Sequence, residues 1–265
     1  MPSSYVRIPK SVKERLTTYA DIYEQSSFLD GDPSWFMHQV VGKRNQETMA
    51  FIASCLSYGS RKVFMPRIQY LLECAKAEPY EWIRKGLFRQ QIPDDFGCFY
   101  RLYTNHTMYE MFTALEEMFQ TYGSLSAYIR SYVNENYAFQ PSEAHKSKAI
   151  YAIEAVCTYF SERHICGIIP KNTTSSCKRV CMFLRWMVRD NSPVDLGIWG
   201  DFIDKRSLII PLDTHVMQQA AVLGLLSSKT TSMRTAEKLT QQLAKVFPDD
   251  PIKGDFALFG YGINQ

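Results

Sequence analysis

Between Ser176 and Asp190 the apolar residues Val180, Phe183, Leu184, Met187 and Val188 recur at the i, i+3, i+4, i+7 spacing of one buried helical face. At about 100° per residue, Lys178, Arg185 and Arg189 fall together on the opposite face, with Met182 between them. The same period returns along most of the chain. Ser11 and Glu14 spell a capping box ahead of Leu16, Tyr19, Ala20 and Tyr23. Asp30-Gly31-Asp32-Pro33 makes a turn that opens a short helix through Val40. Met49, Ile52, Ala53 and Leu56 build a buried helix ending at Ser57-Tyr58-Gly59-Ser60-Arg61-Lys62. Further helices are expected over 63–77, 108–122, 125–134, 143–164 and 232–246, with Pro66 in a first turn and Gly123, Pro141 and Pro170 at breaks. Asp249-Asp250-Pro251 opens the last helix, with Phe256, Leu258 and Phe259 inward. The aromatic, turn-rich stretch 88–105 has no readable period. No β alternation persists and no repeat is visible, so the expected fold class is all-α.

Composition bounds the partners. The 265 residues are 46% hydrophobic and 22% charged, as in an ordinary globular protein. A net charge of +3 permits nucleic-acid binding without demanding it, so a basic face has to be local. Cysteines at 55, 74, 98, 157, 166, 177 and 181 form no C-x-x-C pair, which points to a reducing compartment and buried thiols. No His/Cys/Asp/Glu cluster has ligand spacing, so no metal and no cofactor are expected. The first residues lack an apolar h-region and no apolar run reaches about eighteen residues. Neither secretion nor a membrane is expected, and the location read from this is cytoplasmic, nucleoid-associated if DNA is bound.

Two residues carry the chemistry. With Ser175 or Ser176 as N-cap, Lys178 lies in the first turn of its helix, where the helix field disfavours a cation. That field, with Arg179 beside it, is expected to push the ammonium towards a free amine able to attack carbon. By position alone Lys178 reads equally as one member of a solvated face. Asp213, between Ile209-Ile210-Pro211-Leu212 and Thr214-His215-Val216, reads as the N-cap of a new helix, held ionised by backbone N–H groups. His215 reads as a packing residue at that helix start.

The phrase P-L-D-T-H-V resembles the V-D-T-H-V segment of the helix-hairpin-helix DNA glycosylase superfamily, in which that aspartate is catalytic. The superfamily's L-P-G-V-G-x-K-T hairpin is absent; Asp195-Leu196-Gly197-Ile198-Trp199-Gly200 to Ser207 stands in its place. Archaeal 8-oxoguanine glycosylases also lack the ordinary hairpin and carry their lysine earlier, at a helix start. Lys178, thirty-five positions before Asp213, is similar to that arrangement. The chain as a whole, including K-R-V-C-M-F-L-R-W-M-V-R and D-D-P-I-K-G-D-F-A-L-F-G-Y-G-I, resembles a bacterial family near these glycosylases.

The resemblance implies one glycosylase-like unit over 1–265, two-lobed and helical, with a variant or missing hairpin and a cleft between the lobes. A helical barrel would span about 45–190, and a second lobe about 1–44 plus 191–265. Lys178 and Asp213 would face each other across the cleft. The implied activity is base-excision DNA glycosylase with AP-lyase action through a lysine Schiff base. Its substrate would be double-stranded DNA with a damaged base such as 8-oxoguanine flipped out. Lys178 and Asp213 would be catalytic, and Arg61, Lys62, Arg185 and Arg189 would meet phosphates. Tyr58, Trp186, Trp199 and Phe256 would stack on the base or fill its gap, although each aromatic also reads as core. The last cysteine is Cys181, so the C-terminal iron–sulfur cluster of some relatives is not expected. The alternative is a non-catalytic nucleic-acid-binding relative of the same fold, favoured by the missing hairpin. A third class is an α-helical protein–protein module. The Lys178–Asp213 separation discriminates among them.

Overall fold

The computed structural model describes residues 8–138, 146–228 and 230–263. Among them are eleven α-helices and one two-stranded antiparallel hairpin, so the chain is all-α. The helices are α1 Lys10–Tyr23, α2 Lys43–Leu56, α3 Arg61–Cys74, α4 Pro79–Arg84, α5 Asn105–Tyr122 and α6 Leu125–Ala138. They continue with α7 Lys148–Glu162, α8 Lys178–Val188, α9 Thr214–Val222, α10 Met233–Leu243 and α11 Lys253–Ile263. The hairpin, β1 Cys98–Tyr100 and β2 Tyr103–Thr104, lies within the stretch that showed no period. No described helix is long and apolar enough to cross a membrane.

The core forms around α2, which is buried on every side from Glu47 to Leu56. It packs against α3, α4, α6 and α8 and against the 3₁₀ turn Pro33–His38. Phe51 stacks on Phe160 at 5.5 Å and meets Phe183 edge-on at 5.3 Å; Phe183 in turn meets Trp199 at 5.1 Å. Such ring pairs contribute about 0.5–1.5 kcal/mol each beyond their buried area. Glu47 places a carboxylate among these rings. Burial raises the pKa of Glu47, and hydrogen bonds from Ser126 N–H and the Trp199 indole (3.1 Å) only partly offset it. Ser126 N–H and the Trp199 indole bond different oxygens of Glu47, so Glu47→Gln keeps an acceptor for one of them, sets an N–H₂ against the other and removes a buried acid. It is expected to cost about 1–3 kcal/mol of stability near pH 5, a cost that shrinks relative to wild type towards pH 8. The sign follows because an acid whose folded pKa is raised costs stability as pH climbs from the unfolded value through the folded one. Urea titrations at the two pH values check it.

A second group of helices brings the chain's ends together. α1 lies along α11, and α11 packs on α9. Close approach is possible because α11 presents glycine at its contacts. A Cβ at Gly260 would collide with the Tyr23 ring, and one at Gly262 with His215. α8 joins the two groups: it packs on α2 and α7, and its arginines reach the chain's ends.

Several local expectations change. Helix α1 starts one residue before Ser11, with Pro9 at the cap and no side-chain cap bond, so the Ser11/Glu14 box does not form. Pro66 lies inside α3 rather than in its first turn. The expected helix through Val40 is a 3₁₀ turn, with Asp32 accepting from Ser34 N–H at 3.0 Å. Cys55, Cys157, Cys177 and Cys181 are buried thiols, whereas Cys98 and Cys166 are exposed. Of the expected punctuation, Pro141 lies outside the described residues.

Candidate functional site

The connection between α8 and α9 is what assembles the site. Cys177, not a serine, occupies the α8 N-cap, and its φ of 47° turns the chain sharply into the helix. Lys178 is therefore the first helical residue, as its first-turn position required. Just before the turn, the buried Ser176 hydroxyl donates to Leu212 C=O at 2.9 Å, tying the α8 start to the residue before Asp213. Ser175 adds a β-bridge to Ser232. These ties set two helix N-termini side by side, and Lys178 Nζ lies 2.7 Å from Asp213 Oδ2. The two carboxylate oxygens divide the work. Oδ1 accepts Val216 N–H at 2.8 Å and caps α9, while Oδ2 takes the lysine. Capping and pairing with Lys178 thus coexist in one residue. Burial alone would raise the pKa of Asp213, but Lys178 and the Val216 N–H outweigh it and hold the carboxyl below its ordinary value.

Ser176→Ala removes a buried hydrogen bond and leaves Leu212 C=O without that donor. The expected cost is about 1–3 kcal/mol of stability, with a larger fractional loss of any activity that needs Lys178 against Asp213. Denaturant unfolding and an activity ratio to wild type separate the two effects.

The pair opens onto a cleft of about 650 Å³. Its walls come from Asp32, from Ser57-Tyr58-Gly59 after α2, from Arg61 and Phe64 on α3, and from the starts of α8 and α9. A smaller compartment of about 220 Å³ leads off it and shares Lys178, Asp213, Asp32, Arg61 and His215. Phe28, Phe256 and Phe259 line its far side, with Phe28 edge-on to both others at 4.9 and 5.1 Å. Lys178, Met182 and Arg185, on one stripe of α8, all face this compartment.

Arg61 and Lys62 open α3 as exposed cations, with Arg61 at 3.1 Å from Asp32 on the cleft wall. Tyr58 is exposed at the rim, under the Arg101 guanidinium. Phe256 is fully buried yet lines the smaller compartment. The other four expectations are corrected. Arg185 and Arg189 are buried in an ionic network and do not form a phosphate-facing stripe. Arg185 pairs with Asp195 (3.2 Å) and Asp255 (2.5 Å); Arg189 pairs with Asp195, with Asp250 (2.7 Å) and with Glu24 (2.7 Å). Burial would lower the pKa of Arg189, and the surrounding carboxylates raise it instead. Trp186 and Trp199 lie in the core and reach neither compartment.

The sequence reading did not place Asp32, Phe28, Phe259 or Asp255 at the site, and it used Arg179 only as a charge beside Lys178. Arg179 is a structural tie: its guanidinium donates to Cys55 C=O (2.7 Å), Tyr103 Oη (2.6 Å) and Gly167 C=O (2.9 Å). Phe259 and Asp255 sit on the last helix four residues apart, a spacing that marks one helix face. Nothing in the sequence indicates what that face meets.

An all-α scaffold carrying a lysine–carboxylate pair at the junction of a cleft and an aromatic compartment is the class that fold and site define. The chain belongs to the family described as "Protein of unknown function (DUF2400)", which matches residues 32–264 and so includes every residue of this site but Phe28. Comparison with curated proteins and with solved structures gave no match.

Proposed function

We propose that this protein is a base-excision DNA glycosylase with AP-lyase activity, acting on a damaged base such as 8-oxoguanine. The observation that carries this reading is the 2.7 Å approach of Lys178 Nζ to Asp213 Oδ2 where a cleft meets an aromatic compartment. The resemblance of P-L-D-T-H-V to the glycosylase segment supports it, as does the early, helix-start lysine.

Each group has a defined task. Asp213 takes a proton from the Lys178 ammonium, and the freed amine attacks C1′ of the flipped nucleotide. The N-glycosidic bond breaks with its electron pair going to the base, which takes up a proton and leaves. Handing the accepted proton on to the departing base returns Asp213 to an anion, which stabilises the oxocarbenium-like sugar beside it. The sugar ring then opens to a protonated imine on Lys178, and loss of a proton from C2′ expels the 3′ phosphate by β-elimination. A flipped base would occupy the compartment between Phe28, Phe256 and Phe259. Aromatic rings there provide stacking worth about 1–3 kcal/mol per base. Arg61 and Lys62 would meet the phosphates of the bent strand.

The test is borohydride trapping on duplexes carrying 8-oxoguanine, uracil or an abasic site. Wild type is expected to give a covalent adduct that Lys178→Gln abolishes. An adduct that survives Lys178→Gln reassigns the nucleophile. No adduct with any of the three duplexes, while duplex binding persists, leaves the non-catalytic nucleic-acid-binding relative as the reading.

A further inference from the structure

Outside the compartment walls, the β1–β2 hairpin has side chains that the fold itself does not explain. Its two-residue turn is Arg101-Leu102. Such turns favour Gly, Asn or Asp, because one or both central residues take positive φ. Here Arg101 holds φ 53°, a left-handed conformation that disfavours a side-chain-bearing residue. The residue beside it, Leu102, is 80% exposed. An exposed leucine next to a strained arginine is poor turn chemistry, and neither adds to the core.

The tip is nevertheless fixed in place. Tyr100 Oη donates to Tyr58 C=O on the cleft rim, and the Arg101 guanidinium lies 4.9 Å over the Tyr58 ring. Gly59 makes room for it, since a Cβ at that position would strike Arg101. From the other strand, Tyr103 Oη accepts from Arg179, the residue after Lys178. A short chain of contacts therefore sets the leucine relative to the Lys178–Asp213 pair.

We infer that this hairpin is a duplex-opening element, in which Leu102 enters the base stack beside the displaced nucleotide while Arg101 meets the adjoining phosphate. The inference rests on the duplex substrate of the proposed function. An apolar side chain and a cation at adjacent positions match the two surfaces that a kinked duplex exposes, an unstacked base face and a phosphate. Unstacking one step is unfavourable, and an apolar wedge offsets that cost by refilling the gap. A rigid hairpin suits this because little ordering of the protein is needed on binding.

The experiment uses the full chain and a duplex with a tetrahydrofuran abasic analogue flanked by 2-aminopurine, whose fluorescence rises when it unstacks. Wild-type binding is expected to raise the fluorescence. Leu102→Ala is expected to lose most of that rise, and to lower single-turnover trapping on a duplex lesion by about tenfold while trapping on the single-stranded lesion stays within about twofold. Val41→Ala, another exposed apolar truncation (87% exposed), serves as the control and is expected to match wild type. A rise unchanged in Leu102→Ala, or lost equally in Val41→Ala, overturns the proposal, and so does an absence of duplex binding by anisotropy. The fluorescence reading needs no chemistry. A Leu102-dependent rise without any adduct would keep the hairpin's role and sink the glycosylase reading; an adduct with a Leu102-independent rise would do the reverse.

Discussion

Asp213→Asn is expected to reduce single-turnover cleavage of an abasic duplex by on the order of 10²–10⁴-fold while costing the fold about 1 kcal/mol or less. The asymmetry comes from the division between the two oxygens. Asparagine keeps an Oδ that accepts Val216 N–H, and Asn and Asp cap helices about equally well. What it loses is the anion 2.7 Å from Lys178, the group that in the proposed reaction accepts the lysine's proton and then faces C1′. Both side chains of that pair are about one-third exposed, so the pair itself contributes little to stability. Asp213→Ala removes the cap as well and is expected to cost roughly 1 kcal/mol more. The pH dependence has a definite sign. The folded state holds the Asp213 carboxyl below its ordinary 3.8, so its contribution is present above that value and is lost as pH falls through the lower, folded one. The Asn variant should therefore lose less stability on acidification than wild type does. Unfolding curves and single-turnover rates on the same preparations check both halves. Wild-type rates in Asp213→Asn, or a stability loss of several kcal/mol, would make the residue a cap and nothing more.

What could be read from the chain was mostly what depends on near neighbours in it. The spacing of Val180, Phe183, Leu184, Met187 and Val188 correctly gave the buried side of α8, and all five are buried. The 100° spacing put Lys178, Arg185 and Arg189 on one stripe with Met182 between them; Lys178, Met182 and Arg185 face the smaller compartment, and Arg189 does not. The spacing failed on what lies opposite. Glu24, Asp250 and Asp255 are 165, 61 and 70 positions from their arginine partners, and no local pattern reports a pairing at that range. The hairpin was unreadable for a related reason. Three residues pair with two across an Arg-Leu turn, without the Gly or Asn that marks a tight turn. Asp32 shows the same limit: its position before Pro33 marks a helix start, but its place on the cleft wall depends on where α3 and α8 run.

Arg189→Leu separates the two accounts of the α8 arginines most sharply. Its side chain is 1% exposed and joins Asp195, Asp250 and Glu24, so one guanidinium fastens α8 to the following connector, to the loop before α11 and to the end of α1. Removing it strands the Asp195 carboxylate, whose side chain has no exposure, with Arg185 as its remaining partner. Breaking a buried pair by deleting one member typically costs about 3–5 kcal/mol, because the other charge stays in a low-dielectric site. Against a typical total stability of about 5–15 kcal/mol, that loss brings the fold near its limit. A urea midpoint shifted down by that amount is the expected result. Arg61→Gln is expected to behave in the opposite way. Arg61 is half exposed at the α3 start, so its loss should leave the fold within about 1 kcal/mol of wild type and weaken duplex binding. It should also lower the salt dependence of that binding by about one counterion. If instead Arg189→Leu folded normally and bound DNA with a shallower salt slope, the arginine would belong to the phosphate surface and the buried network would carry no weight in the fold.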